Sequence, residues 1–484
     1  MTKRAELVFI PAPGMGHLVP TVQLAKLLVH LNSSLSITIL TVKPPYDAKI
    51  CAYVDSLSAD RTSTTINRIK FINLPHPDPD VDVLKFISGL VHTQRSFVKE
   101  TVTNIVELSN SVPDSPRLAG FVLDMLLTGF VDLANEFGVP SYVFYTSGAA
   151  FLGFEFYVQV LHDEQSVKLL ELKDSETEFT IPSYVNPVST RLIPFNRTSS
   201  EVVTFFLDMG RRLREVKGIM VNTFSELESH AIDSLSNHKL RNPAIYPVGP
   251  ILDFSSSSET HHNHDTIMQW MDEQPPSSVV FLCFGSMGSF SVEQVTEIAN
   301  ALEQSGYRFL WSLRRPGEKV NGIRGKPTDY GNMADALPEG FLDRTAKVGK
   351  VTGWVPQAAV LSHPATGGFV SHCGWNSTLE SIWFRVPMAA WPHFGEQHMN
   401  AFLLVKELGI AIDLKMDYKN YGDEVEIVKA DEIERGIRWL MDRDSDVRKK
   451  MKNIGDRSSK ALLDGGTSQS TLRRFIDDVI DNLS

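Results

Sequence analysis

Cysteine, long apolar runs and an excess of positive charge are all scarce in this chain of 484 residues. The three cysteines, Cys51, Cys283 and Cys373, are too few for a disulfide framework, so we expect a reducing compartment, the cytosol. No apolar run approaches the roughly 18 residues of a membrane span, and we expect the amino terminus to form a first strand, not a secretory signal. A net charge of −11 argues against a nucleic-acid-binding protein, which needs a basic surface.

Apolar runs typical of strands alternate with helical patterns through two blocks of similar size. This rhythm predicts an α/β fold with parallel sheets covered by helices on both faces. We predict a first domain at 1–250, a Ser- and His-rich linker at 251–265, a second domain at 266–463 and a terminal helix at 464–484. We expect that helix to pack back on the first domain, and ligands to bind at the carboxyl ends of the strands.

The segment from Trp354 to Gln397 concentrates groups that suit a nucleoside diphosphate sugar. Trp354 and Gln357 follow a strand, and a tryptophan ring there can stack on a base. Asn376 and Ser377 lie at a predicted helix start, where backbone N–H groups and the helix dipole attract phosphate. Each feature alone is also explained by a core tryptophan or a helix cap. Their combination in one short window favours a binding site.

Two further groups complete this predicted site. Glu380 lies one turn beyond Asn376 on the same helix face, where it can accept hydrogen bonds from both ribose hydroxyls, as acids do in dinucleotide-binding folds. Glu396 and Gln397 follow the next strand, and a carboxylate beside an amide suits a polyhydroxyl ligand. The segment therefore predicts binding of the nucleoside, the diphosphate and the sugar.

The stretches WVPQ, HCGWNSTLES and EQ within this segment resemble the carboxyl-terminal signature box of the plant family 1 UDP-glycosyltransferases, which has the same length. The resemblance covers essentially the whole chain, because GMGH near the amino terminus, the central FGS and WMDEQPPSS are also similar to that family. It implies two facing Rossmann-like domains, the GT-B arrangement, with the active site in the cleft between them and an inverting transfer of sugar.

The resemblance also implies which residues contact the nucleotide. The ring of Trp354 would stack on uracil, and Gln357 and Glu380 would lie at the ribose. The other residues of the expected UDP site are Ser286, Val355, His372, Asn376 and Ser377. His372, Asn376 and Ser377, together with Ser286, would contact the diphosphate.

On the sugar side, the resemblance implies contacts from Glu396, Gln397 and Thr146 to the hydroxyls. Trp375 combined with a final Gln397 is typical of members that use glucose, whereas histidine in the last place favours galactose. Glu396 departs from the usual aspartate, but its longer side chain can accept the same bonds. We therefore expect UDP-glucose as the co-substrate, with no cofactor and no metal.

A candidate base lies at a strand-to-helix junction, where Gly14 and Gly16 precede His17. A dinucleotide-binding fingerprint needs a third glycine where the chain has Val19, so NAD is not expected. Histidine can remove a proton near neutral pH. Asp124 ends an apolar strand, where an unpaired carboxylate would be costly, so it is the candidate that orients His17, as the acid of a triad does. The family assigns the matching residues these roles.

These residues predict a direct displacement, in which an acceptor hydroxyl activated by His17 attacks the anomeric carbon and yields a β-glucoside. A binding protein that holds UDP-sugar or a small ligand without turnover is the alternative, although it would not need a base with an orienting acid.

The acidic stretches Asp78–Asp82 and Asp442–Asp446 are interpreted as solvated turns, not metal motifs. No metal site is expected at His261, His262 and His264 in the linker.

The resemblance to the family implies an acceptor that is small and mostly lipophilic. Members of the family glycosylate flavonoids, other phenolics, terpenoids, hormones and carboxylic acids. We favour a flavonoid or other phenolic, with a triterpenoid or a carboxylic acid as alternatives, and expect a monomer. The large apolar residues that could line its pocket are Met15, Met125, Phe151, Phe205 and Phe394.

Overall fold

The computed structural model describes residues 4–44, 47–59, 66–75, 83–172, 177–194, 199–237, 242–254, 264–317, 319–320, 323–419 and 425–483. The chain divides into two compact units. Unit 1 consists of Met1–Val167, Ser200–Asp253 and Lys460–Ser484, and unit 2 of Lys168–Ser199 and Phe254–Ser459.

Strands and helices are numbered along the chain. The strands are β1 (Ala5–Ile10), β2 (Leu35–Thr41), β3 (Ile69–Asn73), β4 (Arg117–Asp124), β5 (Ser141–Tyr145), β6 (Glu178–Phe179), β7 (Val188–Ser189), β8 (Gly218–Val221), β9 (Ala244–Pro247), β10 (Val279–Cys283), β11 (Arg308–Ser312), β12 (Lys319–Val320), β13 (Ile323–Arg324), β14 (Gly349–Thr352), β15 (Thr366–Ser371), β16 (Met388–Ala390) and β17 (Ala411–Asp413).

The helices are α1 (Met15–Leu31), α2 (Ala48–Ala59), α3 (Val83–Ser111), α4 (Val131–Glu136), α5 (Ala149–Asp163), α6 (Ser200–Leu213), α7 (Ser229–Leu235), α8 (His264–Asp272), α9 (Val292–Ser305), α10 (Phe341–Thr345), α11 (Gln357–Ser362), α12 (Trp375–Phe384), α13 (Gln397–Phe402), α14 (Ala430–Met441), α15 (Asp446–Ala461) and α16 (Thr467–Asp481). A 3-10 helix at Met125–Phe130 and a π-helix at Leu403–Glu407 also matter below. Among the described residues, none of these helices is both long and apolar enough to span a bilayer.

Unit 1 is built on a seven-stranded parallel sheet in the order β3-β2-β1-β4-β5-β8-β9. All six residues of β1 are buried, as expected for a strand with helices on both faces. The strand order reverses between β1 and β4, so the connections after these two strands diverge and leave a crevice at their carboxyl ends. His17 follows β1 and Asp124 ends β4, so both lie at this reversal.

Unit 2 contains a six-stranded parallel sheet in the order β14-β11-β10-β15-β16-β17. Its order reverses between β10 and β15, and Ser286 and His372 follow these two strands. Short antiparallel pairs are formed by β6 with β7 and by β12 with β13. The two parallel sheets confirm the predicted α/β class with two Rossmann-like units.

Helix α16 belongs to unit 1, and its apolar face enters the core of that unit. Leu472, Phe475, Ile476 and Val479 are buried there, at the spacing of one helix face. The ring of Phe475 packs edge-on against Tyr142 at 5.0 Å and Tyr246 at 5.4 Å. The carboxyl-terminal helix of the chain therefore forms part of the hydrophobic core of unit 1.

The segment 168–199 differs from the predicted boundaries, which place it in the first domain at 1–250. It groups with unit 2, where Glu407 Oε1 accepts hydrogen bonds from the backbone N–H groups of Val185 at 2.6 Å and Asn186 at 3.0 Å. Tyr184 also packs on Phe402 with ring centroids 6.0 Å apart. The sequence signal was weak because β6 and β7 have only two residues each. Residues 255–263 of the predicted linker lie outside the described residues, and unit 1 resumes at Lys460, not at 464.

The fully buried ring of Phe475 provides a test of this arrangement. Replacement by alanine should lower the free energy of unfolding by about 3–5 kcal/mol, because it leaves a cavity beside two aromatic rings. Urea denaturation followed by intrinsic fluorescence measures the change. Leu463→Ala is the control, since Leu463 of the same unit is 62% exposed. Equal denaturation midpoints for the two variants would contradict the packing of α16 into unit 1.

Candidate functional site

The imidazole of His17 and the carboxylate of Asp124 form a hydrogen-bonded pair in unit 1. His17 lies in the first turn of α1, directly after β1, and Asp124 ends the neighbouring strand β4. His17 Nδ1 is 2.9 Å from Asp124 Oδ2, with the aspartate side chain fully buried and the histidine 28% exposed. The parallel pairing of two strands thus brings together residues that are far apart in sequence.

The carboxylate of Asp124 is held by a second donor. Its Oδ1 accepts a hydrogen bond from the backbone N–H of Leu126 at 2.9 Å and caps the 3-10 helix that follows. Because a buried carboxylate only accepts hydrogen bonds, His17 Nδ1 carries the proton of this pair. The lone pair of the neutral imidazole is then on Nε2, the atom that can take a proton from a hydroxyl.

Thr146 joins this pair and does so through the histidine. It follows β5, the neighbour of β4, and its Oγ1 lies 3.0 Å from His17 Nδ1 and 3.8 Å from Met125 Sδ. A hydroxyl that donates to the sulfur can accept a share of the Nδ1 proton, so Thr146 helps to fix the plane of the ring. The sequence predicts a sugar contact for Thr146 and misses this contact with the base.

In unit 2, an amide connects the residues expected at the ribose and the diphosphate. Gln357, the first residue of α11, donates from Nε2 to Ser377 Oγ at 2.9 Å and to Glu380 Oε2 at 2.7 Å, both on α12. An amide nitrogen has two hydrogens, so these two bonds use both. Gln357 therefore fixes the Glu380 carboxylate and would offer a ligand its own oxygen, an acceptor for a hydroxyl.

His372 is wedged between two glycines. A Cβ atom on Gly285 would lie 2.6 Å from His372 Nε2, and one on Gly374 would lie 2.5 Å from it. Burial lowers the pKa of His372 to about 4, and the carbonyl of Cys283 only partly opposes the shift. The imidazole is therefore neutral near pH 7, so the dipole of α12, which begins at Trp375 after the cap residue Gly374, is the positive feature beside it.

The remaining residues expected to bind the donor lie on the same carboxyl-terminal edge. Val355 and Trp375 are buried, each with 3% of its surface exposed. Asn376 is the second residue of α12, while Ser286 is exposed in the turn after β10. Trp354 is partly buried just after β14.

Gln397 makes two structural contacts that the sequence did not predict. It begins α13, is 4% exposed, and its Oε1 accepts the backbone N–H groups of His393 at 2.9 Å and Phe394 at 3.1 Å. Its oxygen thus holds the preceding loop, and its amide N–H groups remain to donate to a sugar hydroxyl. Glu396 is the half-buried cap residue of α13.

That loop rests on a ring cluster, which we define as Phe284, Phe290, Trp391, His393 and Tyr418. His393 lies 5.1 Å from Phe284 and 4.7 Å from Phe290, measured between ring centroids. Phe284 directly precedes the Gly285–Ser286 turn. The ring cluster therefore supports two loops at once, one expected at the phosphate and one at the sugar.

Of the residues that could suggest other chemistry, those within the described ranges have structural explanations. Within the described ranges, no three His, Cys, Asp or Glu side chains are grouped as a metal site. Asp78–Asp82, His261 and His262 lie outside those ranges. In the other acidic stretch, Asp442 caps the N–H of Asp444 at 3.0 Å. Burial raises the pKa of the Cys373 thiol to about 12, so it is not a thiolate nucleophile at neutral pH.

Some of the apolar residues expected at the acceptor lie close to the base. Met125 is buried against Thr146, and Met15, which starts α1, is 39% exposed. Phe151 is buried in α5, Phe205 packs on Phe206, and Phe394 belongs to unit 2.

Comparison with known proteins gives consistent matches. Residues 227–429 match the family model described as UDP-glucoronosyl and UDP-glucosyl transferase. The chain is 50% identical over 486 residues to UDP-glucose flavonoid 3-O-glucosyltransferase 6 of Fragaria ananassa, covering 99% of each.

Solved structures match over nearly the full length as well. A UGT transferase from Siraitia grosvenorii in complex with UDP has a TM-score of 0.87 and 46% identity, covering 99% of this chain and 100% of that one. Medicago truncatula UGT71G1 complexed with UDP-glucose has a TM-score of 0.85 and 37% identity, covering 99% of both chains.

Whether UDP affinity depends on the position of the His372 ring can be tested by a substitution at Gly374. Gly374→Ala introduces a methyl group 2.5 Å from His372 Nε2 and must displace the ring. We expect UDP affinity to fall about tenfold or more, equivalent to about 1.4 kcal/mol, in isothermal titration calorimetry. Gly331→Ala is the matched control, because a Cβ there meets no atom within 4 Å. Unchanged UDP affinity in Gly374→Ala would show that the position of His372 does not matter for the nucleotide.

Proposed function

Because the chain belongs to the UDP-glucoronosyl and UDP-glucosyl transferase family, we propose that it transfers glucose from UDP-glucose to a hydroxyl group of a flavonoid, with inversion at the anomeric carbon. The family predicted from the signature segment is thereby confirmed. One observation carries the catalytic part: His17 Nδ1 lies 2.9 Å from the buried carboxylate of Asp124. A protein that only binds UDP-sugar has no need of an oriented base.

The reaction follows from the proton positions in this pair. His17 Nε2 removes the proton of the acceptor hydroxyl as its oxygen forms a bond to the anomeric carbon. The bond from that carbon to the diphosphate oxygen breaks, and UDP leaves with the electron pair. Asp124 stabilises the imidazolium that forms, which later releases its proton to solvent. Because attack comes from the face opposite UDP, an α-linked donor gives a β-glucoside.

The leaving group is stabilised by dipoles in this mechanism. His372 is neutral near pH 7, since burial lowers its pKa to about 4. The N–H groups at the start of α12 and the hydroxyls of Ser377 and Ser286 would therefore meet the diphosphate charge. The candidate base belongs to unit 1, and the candidate donor residues belong to unit 2.

The choice of glucose and of a flavonoid has separate support. Gln397 offers N–H donors to a sugar, since its oxygen is bonded to the loop before it. The name of the Fragaria ananassa relative supports both UDP-glucose and a flavonoid. A triterpenoid or a carboxylic acid is the alternative acceptor.

We also infer that the protein is a monomer, needs no metal and works in the cytosol. The free state of Cys51, Cys283 and Cys373 supports a reducing compartment.

The base assignment predicts a loss of turnover without a loss of donor binding. His17→Ala should lower kcat by about 10²–10⁴-fold, the usual contribution of a general base, while UDP affinity by calorimetry stays within twofold, on the order of 0.4 kcal/mol. His30→Ala is the control, an exposed histidine at the end of the same helix. Retention of most of the turnover in His17→Ala would remove the imidazole from the mechanism.

The acceptor class can be tested directly with the wild-type enzyme. A panel of flavonoid, triterpenoid and phenolic-acid aglycones is incubated with UDP-glucose or UDP-galactose, with and without EDTA. We expect the highest kcat/KM for a flavonoid with UDP-glucose, no effect of EDTA, and a β-linkage by NMR. A higher kcat/KM for a triterpenoid would overturn the flavonoid assignment, and UDP binding without any product would favour a binding protein.

A further inference from the structure

A polar clamp, which we define as Ser312, Arg314 and Asp329, surrounds the backbone of Trp354. Strands β11 and β14 are parallel neighbours at one edge of the sheet in unit 2. Ser312 ends β11 and Arg314 follows two residues later, whereas Trp354 comes just after β14. Asp329 belongs to the loop between β13 and α10, 25 positions before Trp354 in the sequence.

Two members of the clamp hold opposite ends of one peptide group. Asp329 Oδ1 accepts the backbone N–H of Trp354 at 3.2 Å. The hydroxyl of Ser312 donates to the carbonyl of Gly353 at 2.8 Å. Since this carbonyl and this N–H belong to the same planar peptide, the plane cannot rotate without breaking one of the two bonds. The direction in which the Trp354 side chain leaves the backbone is thereby restricted.

Arg314 holds the aspartate in its place. Its Nε lies 2.9 Å from the same Asp329 Oδ1, and the arginine side chain is only 11% exposed. The guanidinium also donates to the carbonyl of Pro327 at 2.7 Å, so it binds the loop that carries Asp329 as well as the carboxylate itself.

Gly353 makes room for this approach. A Cβ atom at position 353 would lie 2.5 Å from the carboxylate of Asp329. Any larger residue would push the aspartate away from the peptide that it holds. The clamp thus explains why a glycine precedes Trp354.

We propose that Asp329 is a positioning residue for Trp354, and so determines how well the donor's nucleobase is bound. This inference rests on the proposed function and on the contact that the family resemblance implies, in which the ring of Trp354 stacks on uracil. A stacking ring must be presented at a fixed angle, because the energy of an aromatic contact depends on the relative orientation of the two planes. The diphosphate contacts expected from Ser286, His372 and Asn376, and the sugar contacts expected from Glu396 and Gln397, come from other loops. Loss of the clamp should therefore weaken binding of the nucleoside and leave those contacts in place.

Because the clamp holds the segment at Trp354, we expect its loss to change donor binding and not the rate of the chemical step. Asp329→Ala removes the acceptor for Trp354 N–H and the partner of Arg314. We expect the KM for UDP-glucose and the Kd for UDP to rise about threefold to tenfold, the effect of one charge-assisted hydrogen bond that is partly exposed. Uridine, which has no diphosphate, should lose affinity by the same factor, and kcat at saturating donor should stay within twofold, on the order of 0.4 kcal/mol. Asp329→Asn keeps a neutral acceptor and should recover part of the affinity.

The control is another arginine–carboxylate ion pair in unit 2. Glu303 accepts from Arg344 at 2.6 and 3.1 Å on the surface, and Glu303→Ala should leave uridine and UDP affinity unchanged. Wild-type affinity for uridine in Asp329→Ala, or a fall in kcat with unchanged KM, would overturn the positioning role while the transferase assignment stands. Failure of the wild-type protein to bind UDP would instead remove the proposed function itself.

Discussion

Parallel pairing of the strands is the constraint on which both sites depend. In a parallel sheet all carboxyl ends lie along one edge, and a single reversal of strand order opens a crevice there. Unit 1 has its reversal between β1 and β4, and unit 2 between β10 and β15. The connections after β1 and β10 carry His17 and Ser286, Asp124 ends β4, and His372 follows β15. The strand order of each sheet therefore determines where these four side chains lie.

The two histidines at these reversals have opposite surroundings. His17 is partly exposed and its Nδ1 meets a buried carboxylate, an arrangement that would stabilise the imidazolium in the proposed mechanism. His372 is buried between glycines, and burial lowers its pKa to about 4. It remains neutral near pH 7, so it has one N–H donor and one acceptor nitrogen but no charge. The same residue type is thus suited to accept a proton in unit 1 and to stay uncharged in unit 2.

The sequence was sufficient to predict those features that depend on residues close together in the chain. The βαβ rhythm predicts the α/β class, and the apolar spacing of α16 predicts an amphipathic helix. The strand ends predict the pairing of His17 with Asp124. The His17–Asp124 pair spans 107 positions, yet it could be predicted because both residues lie at strand ends. Other long-range contacts could not be predicted, because no motif marks both partners as a pair. Thr146 meets His17 across 129 positions, and the residues 168–199 group with unit 2 through Glu407, which lies 222 positions from Val185.

Three glycines of unit 2 show what such contacts require of the backbone. Gly285 and Gly374 admit the ring of His372, and Gly353 admits the carboxylate of Asp329. In each case a Cβ atom would stand 2.5 or 2.6 Å from the functional group. A side chain packed directly against the backbone has little room to change its rotamer. Its conformational entropy is therefore lost during folding and not during substrate binding. The rigidity of His372 and Asp329 therefore comes as much from the missing side chains of these glycines as from the hydrogen bonds that these two residues make.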